Sequence, residues 1–188
     1  MILKFLKDEN FHETAHTLER EAGLFFDMNH FENMVYKGQW DAAEKYFSGF
    51  ASLHENMQST RTYFELRKQK FLDALDRKDR AKAVNIIMNE FKVFLPYNEN
   101  LCQEATMLLS VDDFRKCKSF SMYGDAATER RYMMNNLKSV FFSNPVLKNK
   151  MQTPTSNRSS SLKNFFKIGS DHVGTSYAST SVAPPYKK

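Results

Sequence analysis

Residues 38–76, GQWDAAEKYFSGFASLHENMQSTRTYFELRKQKFLDALD, decide the fold. Trp40 to Phe47 has helical composition, and Gly38 and Gly49 bracket it as stop signals. Beyond it Tyr63, Phe64, Phe71, Leu72 and Leu75 recur at helical spacing, which predicts one long amphipathic helix over 56–76. Downstream, Ala83, Val84, Ile86, Ile87 and Phe91 repeat the pattern over 80–94, which must end before Pro96. Further helices are expected over 101–109, 111–117 and 126–142, with a last short one after Pro145. Upstream, a short helix over 31–36 stops at Gly38. Before that, Ile2, Leu3, Phe5 and Leu6 form an apolar face broken at Lys7-Asp8-Glu9-Asn10. Asn10 reads as the cap of the next helix, with Glu13 completing a capping box. Phe11, Ala15 and Leu18 follow at helical spacing, and Gly23 supplies the stop. So small a helical hairpin cannot bury its own apolar surface and must dock on the rest of the chain or on a partner. Strand alternation is confined to brief stretches, so the expected class is all-α, a multi-helix domain with a C-terminal tail.

Composition excludes several alternatives. The 188 residues are 41% hydrophobic and 14% aromatic, with a mean hydropathy of -0.58, a profile that fits one globular domain plus a tail. Six glycines and five prolines speak against a turn-rich β fold and a glycine-rich phosphate cradle. Cys102 and Cys117 are too few for a disulfide framework and lack metal spacing, which fits a reducing compartment. Asp8 and Glu9 arrive too early for a signal-peptide core, and no apolar run reaches membrane-spanning length. The tail from 151 to 188 is Ser/Thr-rich and carries +4 of the net +5 charge, which leaves +1 for the first 150 residues. It reads as disordered, apart from an apolar island at Leu162, Phe165, Phe166 and Ile168. With so little basic excess on the folded part, neither sequence-specific nucleic-acid binding nor a membrane partner is expected.

Two motifs carry chemistry. His12-Glu13-Thr14-Ala15-His16 satisfies H-E-x-x-H, in which two histidines on one helix face grip zinc and the glutamate activates water. A third ligand would have to come from Glu32 or His30, neither at diagnostic spacing, and such sites normally lie beneath a sheet that this chain lacks. The plainer reading is a packing helix with its histidines at the edge. The second motif is a stripe on the long helix, where Arg61, Phe64, Lys68 and Phe71 alternate cation and ring at i, i+3, i+7 and i+10. An apolar peptide with acidic flanks would satisfy both kinds of group. A simple amphipathic helix with snorkelling basic edges would show the same stripe.

The stretch Phe11-His12-Glu13-Thr14-Ala15-His16-Thr17-Leu18-Glu19-Arg20-Glu21 resembles the second helix of a LisH motif, and residues 31–50 resemble a CTLH motif. Arg67-Lys68-Gln69-Lys70-Phe71-Leu72 and DRKDRAKAV at 76–84 are similar to the plant Topless family of transcriptional corepressors. Phe114, Tyr123-Gly124-Asp125 and Asn144-Pro145 continue the likeness through a CRA-like part, so that it covers residues 1–152.

The resemblance implies a truncated LisH motif at 1–22, a CTLH region at 23–88, a CRA-like region at 89–152 and the tail at 153–188. It implies a nuclear, non-enzymatic adaptor without a cofactor that binds EAR-type (LxLxL) motifs of transcriptional repressors. Carried over residue by residue, the peptide groove comprises Arg61, Phe64, Lys68, Phe94, Leu101, Leu108, Phe114, Phe120, Tyr123 and Val140. The family also implies self-association, as a dimer, with tetramers weakened because the first LisH helix starts late. Met57 stands where relatives carry a basic groove-edge residue, Phe120 replaces a smaller aliphatic one, and the family's WD-repeat propellers are missing. The chain therefore reads as a short, truncated member or an incomplete gene model. Two other readings remain from sequence: a LisH-CTLH scaffold subunit of a ubiquitin ligase, and a zinc metallopeptidase built on His12 and His16.

Overall fold

In the computed structural model residues 2–151 are described, and among them there is helix but no strand. The tail expected to be disordered, with its apolar island, lies outside the described residues. The order is α1 (Ile2–Asp8), α2 (His12–Ala22), α3 (Met28–Tyr36), α4 (Trp40–Ser48), α5 (Met57–Asp76), α6 (Arg80–Asn85), α7 (Leu101–Ser110) and α8 (Ala126–Ser143). Between α6 and α7 lie a π turn at Ile86–Glu90 and a 3-10 turn at Lys92–Phe94; two more 3-10 turns, Phe114–Lys116 and Lys118–Phe120, precede α8. Among the described residues no helix is long and apolar enough to cross a membrane.

α5 starts one residue after the expected 56 and ends at the expected 76, because Asn56 caps it by accepting from the Ser59 N–H at 2.8 Å. It is the central element, flanked by α4, α8 and the π turn. Its apolar side joins an aromatic core in which Phe47 stacks on Phe141 (5.7 Å) and meets Tyr63 edge-on (5.2 Å), with Phe26 and Phe31 against Phe141. Truncating a ring from such a site costs about 3–5 kcal/mol.

The same side of α5 also carries buried or half-buried polar groups, each paired. Arg67 forks onto Glu44 of α4 and donates from Nη1 to the Glu90 carbonyl at 2.8 Å. Lys70 Nζ lies 2.6 Å from both Asp41 and Glu90. Asp73 accepts from Trp40 Nε1 (2.9 Å) and from Arg130 of α8. Pairing is what makes burial of these groups tolerable, since a lone buried charge costs several kcal/mol.

Four local expectations give way to better hydrogen bonding. Asn10 does not cap α2; it sits at φ 61 and ends α1, where its N–H donates to the Lys7 carbonyl and the Phe11 N–H to that of Leu6. Phe11 becomes the N-terminal flank of α2, without a side-chain cap. The helix expected over 80–94 breaks into α6, the π turn and a 3-10 turn. Phe91 N–H reaches back to the Ile86 carbonyl while Arg67 claims that of Glu90. Only a 3-10 turn forms within 111–117, because Val111 is extended and Asp113 caps the turn through the Arg115 N–H. After Pro145 there are turns instead of a helix, tied down where the Phe26 N–H donates to the Lys150 carbonyl and Lys150 Nζ to that of Phe50.

α2 docks on α4 at a close backbone crossing. Gly23 ends α2 in the left-handed region at φ 62, as the sequence suggests. A Cβ on Gly49 would lie 2.4 Å from the Arg20 carbonyl oxygen. The crossing is pinned by a cluster around Glu19, whose side chain is fully buried. Lys7 Nζ bridges Glu19 and Asp27 at 2.8 Å each, His16 Nδ1 lies 2.8 Å from Glu19 Oε2, and Tyr46 donates its hydroxyl to that same oxygen. The His16 and His30 rings stack with centroids 3.5 Å apart. Burial, reinforced by the charge of His16, holds the His30 pKa below its ordinary 6.5 against the pull of Asp27, Glu19 and Glu13. Burial would raise Asp27, but the hydrogen bonds from Lys7 and the His30 N–H outweigh it and hold its carboxyl below 3.8.

Two outcomes follow from this packing. Gly49→Ala should lower the unfolding free energy by about 1–3 kcal/mol in urea. Gly124→Ala, where a Cβ meets nothing closer than 3.6 Å, should stay within about 0.5 kcal/mol of the parent; equal effects would show that the crossing is not tight. For pH, His30 and Asp27 both have folded pKa values below their unfolded ones, so the unfolded chain binds more protons. Their stabilisation is present above the unfolded pKa and is lost on acidification, first below pH 6.5 through His30 and then below 3.8 through Asp27. Denaturation across pH 7 to 5 should show that first decline in the parent and a flatter profile in His30→Phe. An unchanged slope in the variant would remove His30 as its source.

Candidate functional site

Beside α5, on the side where α7, the 3-10 turn at Lys118–Phe120 and α8 face it, two cavities adjoin. The larger, about 450 Å³, is lined by Phe64, Lys68, Phe71, Leu72, Phe91, Leu101, Ala105, Leu108 and Phe120, with Met107, Cys117 and Ser119 at its edge. The smaller, about 230 Å³, is lined by Arg61, Lys68, Gln69, Leu72, Tyr123, Tyr132 and Val140 among others. Lys68, Leu72 and Phe120 line both, so the two form one groove, mainly apolar at one end and polar at the other.

Helical geometry places the stripe. Arg61, Phe64 and Lys68 stand on successive turns of α5: Arg61 is exposed, while Phe64 and Lys68 are half-buried. Phe71, the fourth member, is 2% exposed and forms part of the floor. Lys68 Nζ lies 2.6 Å from Glu65 and 5.7 Å from the centre of the Phe64 ring, so its charge is held at the groove's middle. Leu101 and Leu108, two turns apart on α7, supply the opposite wall.

Phe94 and Phe114 line neither cavity of the groove. Phe94 is buried, with Phe64 against it edge-on at 5.3 Å and the Arg67 guanidinium over its ring. Phe114 is buried too and meets Phe120 and Tyr123 edge-on at 5.8 and 5.0 Å. Both rings support groove residues rather than face the opening. Met57, at the start of α5, is 65% exposed. Sequence reasoning missed Leu72, although its helical spacing from Phe64 and Lys68 was a usable signal. It also missed Gln69, which donates to the Tyr123 hydroxyl and thereby joins the groove to buried Asp73, 3.5 Å from the same amide nitrogen. Burial, partly offset by the Gln69 hydrogen bond, pushes the Tyr123 phenol up to about 12, so it stays neutral in the groove across the physiological range.

The H-E-x-x-H pair is not brought together as a metal grip. His12 is exposed, and His16 turns to Glu19 and His30. Glu32, a possible third ligand, pairs with Lys138 and Tyr36. His16, Glu19 and Asp27 do place ligand atoms within 4.8 Å of one another, but the Lys7 ammonium bridges the two carboxylates and supplies the positive charge there. The donor set is thus matched to an ammonium and fits a zinc centre poorly.

Comparison with known proteins agrees with this architecture. A family model described as a TPR1-like, CTLH-containing domain matches residues 27–151. Over 155 residues, 82% of this chain, the sequence is 47% identical to Topless-related protein 4 and to Topless-related protein 1 of Arabidopsis thaliana. It is 46% identical over 154 residues to TOPLESS-RELATED PROTEIN 2 of Oryza sativa subsp. japonica. The chain spans 14% of the length of each of these curated relatives. With a family model covering most of the chain, and relatives 46–47% identical over 82% of it, the chain belongs to the Topless-related family through its TPR1-like, CTLH-containing domain.

Proposed function

We propose that this chain is a nuclear corepressor-type adaptor that captures leucine-rich, EAR-type repression motifs of transcriptional repressors in the groove beside α5. The observation that carries the reading is the juxtaposition of a 450 Å³ apolar cavity with Lys68 and Arg61 along one helix face. The leucines of a motif enter the end walled by Phe64, Leu101 and Leu108, and acidic flanking residues meet the two cations. Burying two or three leucines contributes roughly 4–8 kcal/mol before ordering costs, which leaves affinity on the micromolar scale. The Topless-related names of the relatives support the corepressor role and, with it, the nuclear setting. A ubiquitin-ligase scaffold or a zinc peptidase gives no reason for specific capture of such a peptide. Titration calorimetry with an acidic-flanked LxLxL peptide should show Phe64→Ala weakening binding at least about tenfold. Lys68→Glu should weaken it more at low salt than at high. Parent-like binding by both variants would place the peptide elsewhere.

Self-association forms a second part of the proposal, through the N-terminal hairpin. α1 has no buried residue, and Ile2, Phe5, Phe11 and Leu24 are each at least half exposed. So many large apolar side chains on one short segment favour a second copy as their cover. Sedimentation at micromolar concentration should find dimer or monomer–dimer exchange, shifted to monomer in Phe5→Glu with peptide affinity unchanged. A parent that remains monomeric would remove this interface.

A further inference from the structure

We propose that Ser119 is a site of phosphorylation and that a phosphate there shuts the groove to acidic-flanked peptides. Residues 115–121 read Arg-Lys-Cys-Lys-Ser-Phe-Ser, so Ser119 follows Lys118 at once and has Lys116 and Arg115 three and four positions before it. Arg115 is engaged by Asp76 and Asp113, but among the described residues Lys116 and Lys118 enter no ion pair, and both are exposed. An exposed serine behind two free cations suits a kinase whose substrate cleft is acidic, since charge pattern is what such enzymes read. The segment is accessible: Cys117 is extended, Lys118–Phe120 is a single 3-10 turn, and Met122 beyond it is 93% exposed. Ser121 is less apt, because its hydroxyl donates to the Lys118 carbonyl at 3.0 Å. Among the described residues the Ser119 hydroxyl has no such partner.

The chemistry needs only the kinase and a nucleoside triphosphate. Ser119 Oγ attacks the γ-phosphorus, and an Oγ–P bond forms as the bond to the β-phosphate's bridging oxygen breaks. The nucleoside diphosphate leaves with that electron pair, the hydroxyl proton passes to the kinase's catalytic carboxylate, and nothing is oxidised or reduced. The product adds a charge of about -1.5 to -2. Ser119 is exposed and lines the same cavity as Phe64, Lys68, Leu108 and Phe120, so that charge arrives in the wall of the space the leucines would fill. It repels acidic flanks and competes for Lys68.

The consequence for binding rests on the peptide-capture reading; the modification itself does not. The full chain and its Ser119→Ala variant are incubated with a basophilic serine/threonine kinase and ATP, the phosphate is mapped by mass spectrometry, and each product is titrated with the acidic-flanked LxLxL peptide. Because both chains carry the same other serines, their difference isolates Ser119. The expected result is phosphate on Ser119, slowed in Lys116→Glu/Lys118→Glu, with the treated parent binding about tenfold more weakly at low salt and treated Ser119→Ala binding like untreated protein. Ser119 left unmodified, or a phosphorylated parent that binds like treated Ser119→Ala, overturns the proposal. An untreated parent that ignores the peptide overturns the capture reading and the claimed consequence together, while the mapping still decides the modification.

Discussion

α5 is a helix buried on most of its faces that nevertheless carries Arg67, Lys70 and Asp73, and the rest of the structure is arranged to satisfy those three charges. Each needs a partner from another element, so α4 must present Trp40, Asp41 and Glu44, the π turn must present Glu90, and α8 must present Arg130. A helix held this way on one side cannot rotate about its axis without stranding a buried charge, at a cost of about 3–5 kcal/mol. That constraint orients the residues between them. Phe64 and Lys68 face the groove because Arg67 and Lys70 face the ion pairs.

The same network reaches the groove from behind. Asp73 binds Trp40 and Arg130, Gln69 lies between Asp73 and the Tyr123 hydroxyl, and Tyr123 lines the groove's polar end. Phe94 and Phe114 do similar work with apolar contacts, the first against Phe64 and the second beneath Phe120 and Tyr123. The lining is therefore backed by buried, hydrogen-bonded or close-packed groups, which is the condition for a preformed site that spends little affinity on ordering itself. Within the turn that Phe114 backs through Phe120, Ser119 itself is exposed and so accessible to a modifying enzyme.

What was legible in the sequence follows from how local each cause is. The extent of α5 could be read because apolar periodicity is a local signal; its asparagine cap, equally local, was there to be read and went unused. The stripe Arg61, Phe64, Lys68 could be read for the same reason. The groove's far wall could not: Leu101, Leu108, Phe120, Tyr123 and Val140 came to attention only through family resemblance, since nothing in local spacing says that α7 and α8 will face α5. The π turn and the buried charges were opaque because their partners are remote. Glu44 lies 23 residues from Arg67, and Arg130 lies 57 from Asp73. Asn10 was misread for a subtler reason: an asparagine between two helices can start one or end the other, and here the carbonyls of α1 claim it.

The central claim is that the groove beside α5 is where a leucine-rich peptide sits. The most direct measurement is an NMR titration of the isotope-labelled chain with an acidic-flanked LxLxL peptide, read residue by residue. Amide shifts concentrated at 61–72, 101–108, 117–123 and 132–140, with α1 and α2 silent, are the predicted result. Shifts centred on α1 and α2, or none that saturate, would contradict it.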